Sequence, residues 1–266
     1  MILGPILLVG AGRMGGALLA GWRLAGVQFS QTLIIDPVPG AHARVAEGQG
    51  ATLNPPLSAL FGAQTVVLAV KPQGWRAAAA PLAAGLPDDA VIVSILAGVD
   101  LVALGEVFGA RPIARVMPTT AVEIARGVAS IHAPDPRAAE RAHALFDPLA
   151  TTVDLGEERM MDGATAISGS GPAYLYAFVE ALAAAGAAVG LSPDDADGLA
   201  RATIISAAAL LADRAEAPAT LRRQVTSPGG TTEAALDVLL RAEGGLNPLV
   251  RAAVQAAAAR AKALGT

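Results

Sequence analysis

The sequence of 266 residues contains no cysteine, which excludes disulfides, thiolate metal ligands and a cysteine nucleophile. Its three histidines, His42, His132 and His143, are scattered along the chain. None of them stands at the spacing of zinc ligands or beside a plausible nucleophile. We therefore expect ordinary surface or turn roles for the histidines, and no metal site.

Positive charge is also scarce, because the formal net charge is −4 at pH 7 and the only lysines are Lys71 and Lys262. This balance argues against a nucleic-acid surface, which needs a basic face. The apolar share of 53% comes largely from alanine, and glycine and proline interrupt the long uncharged stretches. We therefore predict no membrane-spanning helix. The N-terminus leads into the first predicted strand without a basic segment, so we expect no signal peptide and predict a cytoplasmic protein.

A glycine-rich turn near the N-terminus is the most informative motif that is present. The apolar run Ile6–Val9 is followed by Gly10-Ala11-Gly12-Arg13-Met14-Gly15 and then by a helical pattern. In a G-x-G-x-x-G turn the first glycine allows the tight turn, the second lets backbone N–H groups approach a pyrophosphate, and the third lets the helix pack closely. Alone the motif is weak evidence, because such a turn can simply connect a strand to a helix.

Asp36 strengthens the interpretation of the glycine turn as a dinucleotide site. It ends the short β-rich run Leu33–Ile35, about twenty residues after the last glycine, where a Rossmann unit places its ribose-binding carboxylate. A carboxylate there accepts hydrogen bonds from ribose hydroxyls and repels a 2′-phosphate, which favours NADH over NADPH. Arg44 is near enough in sequence that NADPH remains an alternative cofactor. The alternative is a solvated turn residue, since Asp36-Pro37 is also good turn chemistry.

The first half of the chain alternates between strand-like and helix-like runs, which predicts a mostly parallel sheet covered by helices on both faces. The predicted strands are Ile6–Val9, Leu33–Ile35, Val66–Val70, Val91–Ile95, Ile113–Met117, Val128–Ile131 and Thr151–Leu155. The helical stretches include Arg13–Leu24, Trp75–Ala84 and Arg137–Leu149. We predict an α/β protein with a Rossmann-like dinucleotide-binding domain at residues 1–156 and an all-α domain at residues 157–266.

The second half shows helical patterns and no convincing strand. One helix begins near Pro172 and stops at Gly190, and Ser192 is a candidate N-cap for the next helix, which continues to about Asp213. That helix is apolar nearly all round, so we predict that it packs against a second subunit. The alternative is burial within one chain. A last helix is predicted from Pro248 to about Leu264.

Four segments carry the candidate chemistry. Lys71-Pro72-Gln73 and Ala97-Gly98 follow two predicted strands, and ligands of open α/β sheets bind beyond the carboxyl ends of strands. Each of these alone is an ordinary turn. Ser168 to Tyr174 places small residues before a helix. Val225 to Thr232 carries glycines and hydroxyls in a backbone nest that suits a carboxylate or another small anion. The alternative for this last segment is a flexible hinge.

In combination these motifs resemble the pyrroline-5-carboxylate reductases, which make proline from its cyclic imine. The resemblance runs from Gly10 to about Ala263. It rests on Met14-Gly15, Val70-Lys71-Pro72-Gln73, Ser94-Ile95 with Ala97-Gly98-Val99, Met117-Pro118, Ser168 to Tyr174 and Thr226 to Thr232. It implies an NAD(P)H-dependent oxidoreductase of proline biosynthesis, with a helical domain that interlocks in a homodimer and often assembles further.

The resemblance also implies which residues form the site. Those implied to bind the dinucleotide are Gly10, Ala11, Gly12, Arg13, Met14, Asp36, Asn54, Ala69, Val70, Lys71, Pro72, Ala97 and Gly98. Those implied to bind the imino acid are Thr119, Thr120, Ser227, Gly229, Gly230, Thr231 and Thr232. The hydroxyl of Thr232 would lie near the ring nitrogen and act in catalysis. No metal is implied.

Two segments depart from the usual family pattern. The family usually reads Met-Pro-Asn-Thr-Pro-Ala where this chain has Thr119 in place of the amide and Ala121 in place of the second proline. Glu233 stands where an apolar residue is common, and it adds a carboxylate close to the anion site. Its role there could also be to complement the positive end of the helix dipole.

Three alternatives remain open at this point. One is a reductase of another cyclic imino acid, such as a six-membered ring. Another is a β-hydroxyacid dehydrogenase, which usually relies on a lysine in its helical domain, whereas the only lysine here after Lys71 is Lys262. The third is a regulatory protein that binds a dinucleotide without turnover, and the Ser227 to Thr232 loop argues against it.

Overall fold

An eight-stranded sheet forms the centre of the first of two compact units in the computed structural model, which describes residues 4–264. The strand order is β3-β2-β1-β4-β5-β6-β7-β8, and every neighbouring pair is parallel except β6 with β7. The strands are β1 (Ile6–Val9), β2 (Thr32–Ile35), β3 (Thr52–Leu53), β4 (Thr65–Leu68), β5 (Val91–Ser94), β6 (Ile113–Pro118), β7 (Gly127–His132) and β8 (Ala150–Asp154). This confirms the predicted mostly parallel sheet.

Helices cover both faces of the sheet, as predicted. The helices of this unit are α1 (Arg13–Leu24), α2 (Ala41–Gly48), α3 (Trp75–Ala83), α4 (Leu101–Phe108), α5 (Pro136–Phe146) and the short α6 (Met161–Ala164). One apolar cluster contains Trp22 of α1 and Phe146 of α5, and the other contains Leu82 of α3 and Phe108 of α4. Within the first cluster the Trp22 indole N–H donates to the carbonyl of Leu145 at 2.9 Å, so a buried polar group is satisfied where the two helices meet.

Several strand ends differ from the prediction for a simple reason of register. The predicted strand Val66–Val70 corresponds to β4, which ends at Leu68 instead of Val70. Leu68 pairs with Val9, the last residue of β1, and with Ser94, the last residue of β5. An apolar run shows where a chain is buried but not where its neighbours stop pairing. The two-residue strand β3 was missed because so short a segment has no recognisable period.

The two compact units divide later in the chain than the sequence predicted. Among the described residues, those up to Gly169 and those from Ala257 belong to the first unit, and Ser170–Ala256 form the second. The predicted boundary between residues 156 and 157 falls earlier, because a turn at Glu158–Met160, α6 and the wide helical turn Thr165–Gly169 belong to the first unit. The position of the domain boundary stays a prediction.

The second unit is entirely helical among the residues that the structure describes. Its helices are α7 (Gly171–Ala188), α8 (Pro193–Asp213), α9 (Pro218–Gln224), α10 (Thr231–Leu239) and the greater part of α11 (Leu246–Leu264). The start of α8 agrees with the prediction, because the Ser192 hydroxyl accepts the N–H of Asp195 at 3.1 Å. No helix among the described residues is both long and apolar enough to cross a membrane.

The apolar helices of the second unit are not covered within a single chain. No residue of α7 is buried, and in α8 only Ala196 and Ala200 are buried. Large exposed apolar side chains on these two helices are Leu175, Tyr176, Phe178, Leu182, Leu199, Ile205, Leu210 and Leu211. The alternative of burial within one chain is therefore wrong.

His143 joins the end of α5 to the edge strand β8. Its Nδ1 lies 2.9 Å from Oδ1 of Asp147 and its Nε2 lies 3.1 Å from Oδ1 of Asp154. The hydrogen bond with Asp147 raises the pKa of His143 above its ordinary value near 6.5, burial opposes the shift, and Asp154 adds to it. The protonated ring donates to both carboxylates at once, so folding favours the charged form.

This geometry predicts a pH-dependent contribution to stability. A group whose pKa is raised on folding stabilises the protein fully below its unfolded pKa and loses that contribution as the pH rises through the folded pKa. We expect His143→Gln to lower the free energy of unfolding more at pH 6 than at pH 9. Urea unfolding at the two pH values measures the difference, and an equal loss at both would contradict the assignment.

Candidate active site

The glycine turn lies at the carboxyl end of β1, where its backbone comes close to the end of β4. Gly10 has φ +94°, and a Cβ on it would lie 2.7 Å from the carbonyl oxygen of Ala69. A Cβ on Gly15 would lie 2.1 Å from the carbonyl oxygen of Gly10. A side chain at either position would force the backbone apart. The first and third glycines therefore have the packing roles that the motif predicts.

Gly12 differs from the other two glycines of the motif, Gly10 and Gly15, because it faces open space. Apart from Gly12 itself and its two chain neighbours, no residue has a heavy atom within 4 Å of the point where its Cβ would be. Gly12 is also the N-cap of α1 and offers no side-chain cap, so the first-turn N–H groups of α1 stay available to an anion. The residues present thus fit a phosphate group at this position.

Asp36 is fixed beside the glycine turn by hydrogen bonds that the sequence did not reveal. Its Oδ2 accepts the N–H of Ala11 at 2.6 Å and its Oδ1 accepts the N–H of Val38 at 2.8 Å. The side chain of Asn54 accepts from the Asp36 N–H at 3.0 Å and donates to the Asp36 carbonyl at 2.9 Å. Asn54, which the resemblance implied as a cofactor residue, therefore positions Asp36 in this structure.

The other predicted cofactor residues lie at the same edge of the sheet. Ala69, Val70, Lys71 and Pro72 follow β4, and Ala97 and Gly98 follow β5. Because β1, β4 and β5 are parallel neighbours, their carboxyl ends share one edge with the glycine turn. Lys71 is exposed and Gly98 has φ +77°, so the backbone turns sharply there. The edge thus brings the predicted dinucleotide residues together.

A partly buried ion pair supports this edge, and the sequence did not reveal it. Arg115 of β6 is only 6% exposed, and its Nη1 donates to Oε1 of Glu158 at 2.8 Å. The same oxygen accepts the N–H of Leu101 at 2.7 Å, at the start of α4. Glu158 therefore links β6 to the segment that follows Gly98. A charged residue in the middle of an apolar strand was the available signal.

Thr119, which departs from the usual family pattern, and Thr120, which matches it, have different surroundings. Thr119 is 7% exposed, its hydroxyl accepts the N–H of Val128 at 3.0 Å, and its own N–H donates to the carbonyl of Val128 at 2.9 Å. These contacts hold Thr119 against β7. Thr120 is exposed at the start of a short 3₁₀ turn, Thr120–Ile124. Substrate binding by these threonines stays a prediction.

The candidate anion loop lies in the second unit, at the start of α10. The N–H of Gly230 donates to the carbonyl of Ser227 at 3.0 Å, and Gly229 has φ +71°, which forms a tight turn. Gly230 is the N-cap of α10 and provides no side-chain cap, so the N–H groups of Thr231 and Thr232 lie in an uncapped first turn. Partial positive charge and unpaired donors suit a carboxylate there.

One carboxylate of the chain itself already reaches this loop. Oε2 of Glu233 accepts the N–H of Gly229 at 2.7 Å. The sequence showed an added carboxylate near the loop but not that it would bond the loop backbone. Among residues 4–264 no group of three or more His, Asp and Glu side chains is arranged to hold a metal ion.

A mostly parallel sheet, a glycine turn at its carboxyl edge and an acidic residue after the second strand define a dinucleotide-binding oxidoreductase fold. Comparison with family models agrees: residues 5–98 match the model described as NADP oxidoreductase coenzyme F420-dependent, and residues 158–264 match the model described as pyrroline-5-carboxylate reductase dimerisation. The pyrroline-5-carboxylate reductase of Pseudomonas aeruginosa is 36% identical, with 97% of this chain and 96% of that protein covered. The Mycobacterium tuberculosis enzyme is 35% identical, with 97% and 96% covered. The chain belongs to the pyrroline-5-carboxylate reductase family.

Solved structures show the same likeness. A pyrroline-5-carboxylate reductase from Coxiella burnetii matches with a TM-score of 0.91 and 28% identity, covering 99% of both chains. The Plasmodium falciparum pyrroline carboxylate reductase, crystallised with NADP bound, matches with a TM-score of 0.84 and 26% identity, covering 99% of this chain and 98% of that one. A Mycobacterium tuberculosis 3-hydroxyisobutyrate dehydrogenase reaches a TM-score of 0.52 at 18% identity over 72% of this chain and 67% of that one, which shows a shared fold alone.

The contrast between Gly12 and Gly15 generates a test of the dinucleotide site. Gly12→Ala adds a methyl group where the protein leaves open space, so we expect the thermal midpoint to stay within about 2 °C of wild type. We expect the affinity for NADH to fall at least about tenfold, because the backbone can no longer approach a phosphate. Thermal unfolding and fluorescence titration with NADH measure both effects.

Gly15→Ala is the matched comparison, because its methyl group meets the Gly10 carbonyl. This variant is expected to lose stability as well as affinity. Unchanged NADH binding in Gly12→Ala would contradict the placement of a phosphate at this turn.

Proposed function

We propose that this chain reduces 1-pyrroline-5-carboxylate to L-proline with hydride from NAD(P)H, the last step of proline biosynthesis. The observation that carries this proposal is similarity to curated pyrroline-5-carboxylate reductases at 35–36% identity over nearly the whole chain. The fit of the glycine turn to a phosphate and of the α10 start to a carboxylate supports it. Reduced nicotinamide, when bound, supplies the hydride.

The residues at the carboxyl edge of the sheet would hold the dinucleotide. Gly12 and the first turn of α1 bind the pyrophosphate, and the Asp36 carboxylate accepts hydrogen bonds from the ribose hydroxyls. The Asp36 carboxylate is held firmly beside Ala11 by the 2.6 Å hydrogen bond, so its negative charge stays where a 2′-phosphate would approach. We therefore propose that the chain favours NADH, although its Plasmodium falciparum relative was crystallised with NADP.

The loop before α10 would bind the imino acid. The first-turn N–H groups at Thr231 and Thr232 receive the ring carboxylate, and the hydroxyl of Thr232, a half-buried residue, hydrogen-bonds the ring nitrogen. A hydroxyl has a pKa far from neutral, so Thr232 orients the ring rather than transferring its proton. The cyclic imine is basic enough to be protonated in water, and the iminium carbon accepts hydride without a protein nucleophile. The chain contributes mainly by positioning.

The exposed apolar faces of α7 and α8 indicate the quaternary structure. Side chains such as Leu199, Ile205 and Leu211 lie in the region that matches the dimerisation model. A large apolar surface on a soluble protein marks an interaction site. We propose a homodimer through the C-terminal helices, while assembly beyond a dimer and a cytoplasmic location stay predictions.

The activity assay separates the proposed function from its alternatives. Purified protein is mixed with NADH or NADPH and either pyrroline-5-carboxylate or its six-membered homologue, and cofactor oxidation is followed by absorbance. We expect the fastest turnover with the five-membered ring. Faster turnover of the six-membered ring would indicate another imino-acid reductase, and no oxidation with either ring would contradict the proposal and favour a non-catalytic or hydroxyacid role.

Thr232→Ala tests the proposed catalytic hydroxyl. We expect kcat/KM for pyrroline-5-carboxylate to fall about 10- to 100-fold, because a hydrogen bond to the reacting ring is lost, while NADH affinity stays within about twofold. Thr232→Ser, which keeps the hydroxyl, should recover most of the activity. Wild-type kcat/KM in the alanine variant would remove Thr232 from the mechanism.

Asp36→Asn tests the proposed cofactor preference. The amide keeps an acceptor oxygen near Ala11 but removes the negative charge that repels a 2′-phosphate. We expect the ratio of kcat/KM for NADH over NADPH to fall at least about tenfold, measured at saturating imine. Asp88→Asn, at a fully exposed carboxylate in the same unit, is the control and should leave the ratio unchanged. An unchanged ratio in Asp36→Asn would show that the preference is set elsewhere.

A further inference from the structure

We propose that Glu233 is a specificity-determining residue that competes with the carboxylate of substrate and product for the backbone of the anion loop. This inference rests on the proposed function, because it assumes that the loop before α10 receives a ring carboxylate. It adds a residue that acts against binding. The direct observation is the 2.7 Å hydrogen bond from the Gly229 N–H to Oε2 of Glu233.

Glu233 takes up a loop donor that a ligand could use. The N–H of Gly230 already donates to Ser227 within the turn, and the N–H of Gly229 donates to Glu233. The donors left for a ligand are then the first-turn N–H groups of α10, at Thr231 and Thr232. An incoming carboxylate therefore meets a site that the chain's own carboxylate has partly filled.

Charge reinforces this competition. Glu233 is half-buried, so its carboxylate is less screened by solvent than a fully exposed one. Two carboxylates that converge on adjacent N–H groups repel each other, and the repulsion is weakest when one of them leaves. The side chain at position 233 thus opposes every ligand that brings a negative charge to the loop.

Two arginines near Glu233 could bind its carboxylate in place of the Gly229 N–H. Glu233 lines an open cleft of about 330 Å³ together with Arg222 and Arg223, in the last turn of α9. Both arginines are exposed, and Arg223 donates to the hydroxyl of Thr220 at 2.8 Å. A guanidinium is a good partner for a displaced carboxylate. Glu233 can therefore exchange its hydrogen bond with Gly229 for an ion pair with these arginines when a ring acid binds.

This competition would affect product as well as substrate. L-Proline carries the same ring carboxylate as the imine, so Glu233 weakens the binding of both. The consequence is a higher KM for the acid together with easier release of proline. A cyclic imine without a carboxylate would not need to displace Glu233, so the residue sets the preference between acidic and neutral rings.

A purely structural role for Glu233 predicts the opposite change in KM when the side chain is removed. An acidic residue at the third position of a helix commonly bonds back to the backbone before the helix and stabilises its start. If Glu233 only preorganised the loop, its removal would loosen the anion site and raise KM. The direction of the change in KM therefore separates the two roles.

The test compares Glu233→Ala, Glu233→Gln and the control Asp237→Ala, which removes a carboxylate lining the same cleft but not bonded to Gly229. KM for pyrroline-5-carboxylate is measured at saturating NADH, and Kd for L-proline is measured by calorimetry with NAD⁺ present. We expect Glu233→Ala to lower both constants about tenfold. Glu233→Gln, which keeps an acceptor but no charge, should give intermediate values, and Asp237→Ala should stay within about twofold of wild type.

An unchanged or raised KM in Glu233→Ala, with wild-type turnover present, would overturn the role of Glu233 and leave the proposed function standing. A wild-type chain without turnover would contradict the proposed function instead. The Kd for L-proline in the wild-type and variant chains would then still test the role of Glu233 in the loop. If neither the wild-type chain nor Glu233→Ala binds proline, this inference is overturned too. If Glu233→Ala does not fold, the glutamine variant decides, because wild-type KM and Kd in that variant would overturn the inference.

Discussion

The register of four parallel strands is the constraint on which the candidate cofactor site depends. Val9 pairs with Ile35 on one side and with Leu68 on the other, and Leu68 pairs with Ser94. The last residues of β2, β1, β4 and β5 therefore form one row across the sheet. The candidate cofactor segments that follow β1, β2, β4 and β5 lie just beyond this row, so a shift of one strand would separate them.

Two helix starts then provide the two candidate anion sites of the chain. The start of α1, after Gly12, and the start of α10, after Gly230, both lack a side-chain cap, so their N–H groups remain available to ligands. The sites differ in what surrounds them. Gly12 faces open space, whereas the loop before α10 is already touched by Glu233. The proposed reaction needs both anions held still, because the protein contributes position rather than a nucleophile.

Local signals predicted the fold well. The bounds of β1 and α1 were right because the glycine turn fixes the end of one and the start of the other. The start of α8 was right because Ser192 caps it. Strand ends such as that of β4 were wrong by two residues, since pairing with Val9 decides them and composition does not.

The contacts that complete the site could not be predicted, because they join residues far apart in sequence. Asn54 holds Asp36 from another strand end, and Glu158 joins Arg115 to Leu101. Glu233 was visible as a departure from the family pattern, but its hydrogen bond to Gly229 depends on the turn at Ser227, which forms only in the folded chain. The sequence pattern locates the segments that form the site, whereas the tertiary structure determines which residues hydrogen-bond to each other.

The most direct measurement of the central claim is a crystal structure of this protein with NAD⁺ and L-proline bound. We expect the proline carboxylate within hydrogen-bond distance of the N–H groups at Thr231 and Thr232, with the ring nitrogen near the Thr232 hydroxyl. Proline bound away from the segment Gly229 to Thr232 would contradict the proposed substrate site.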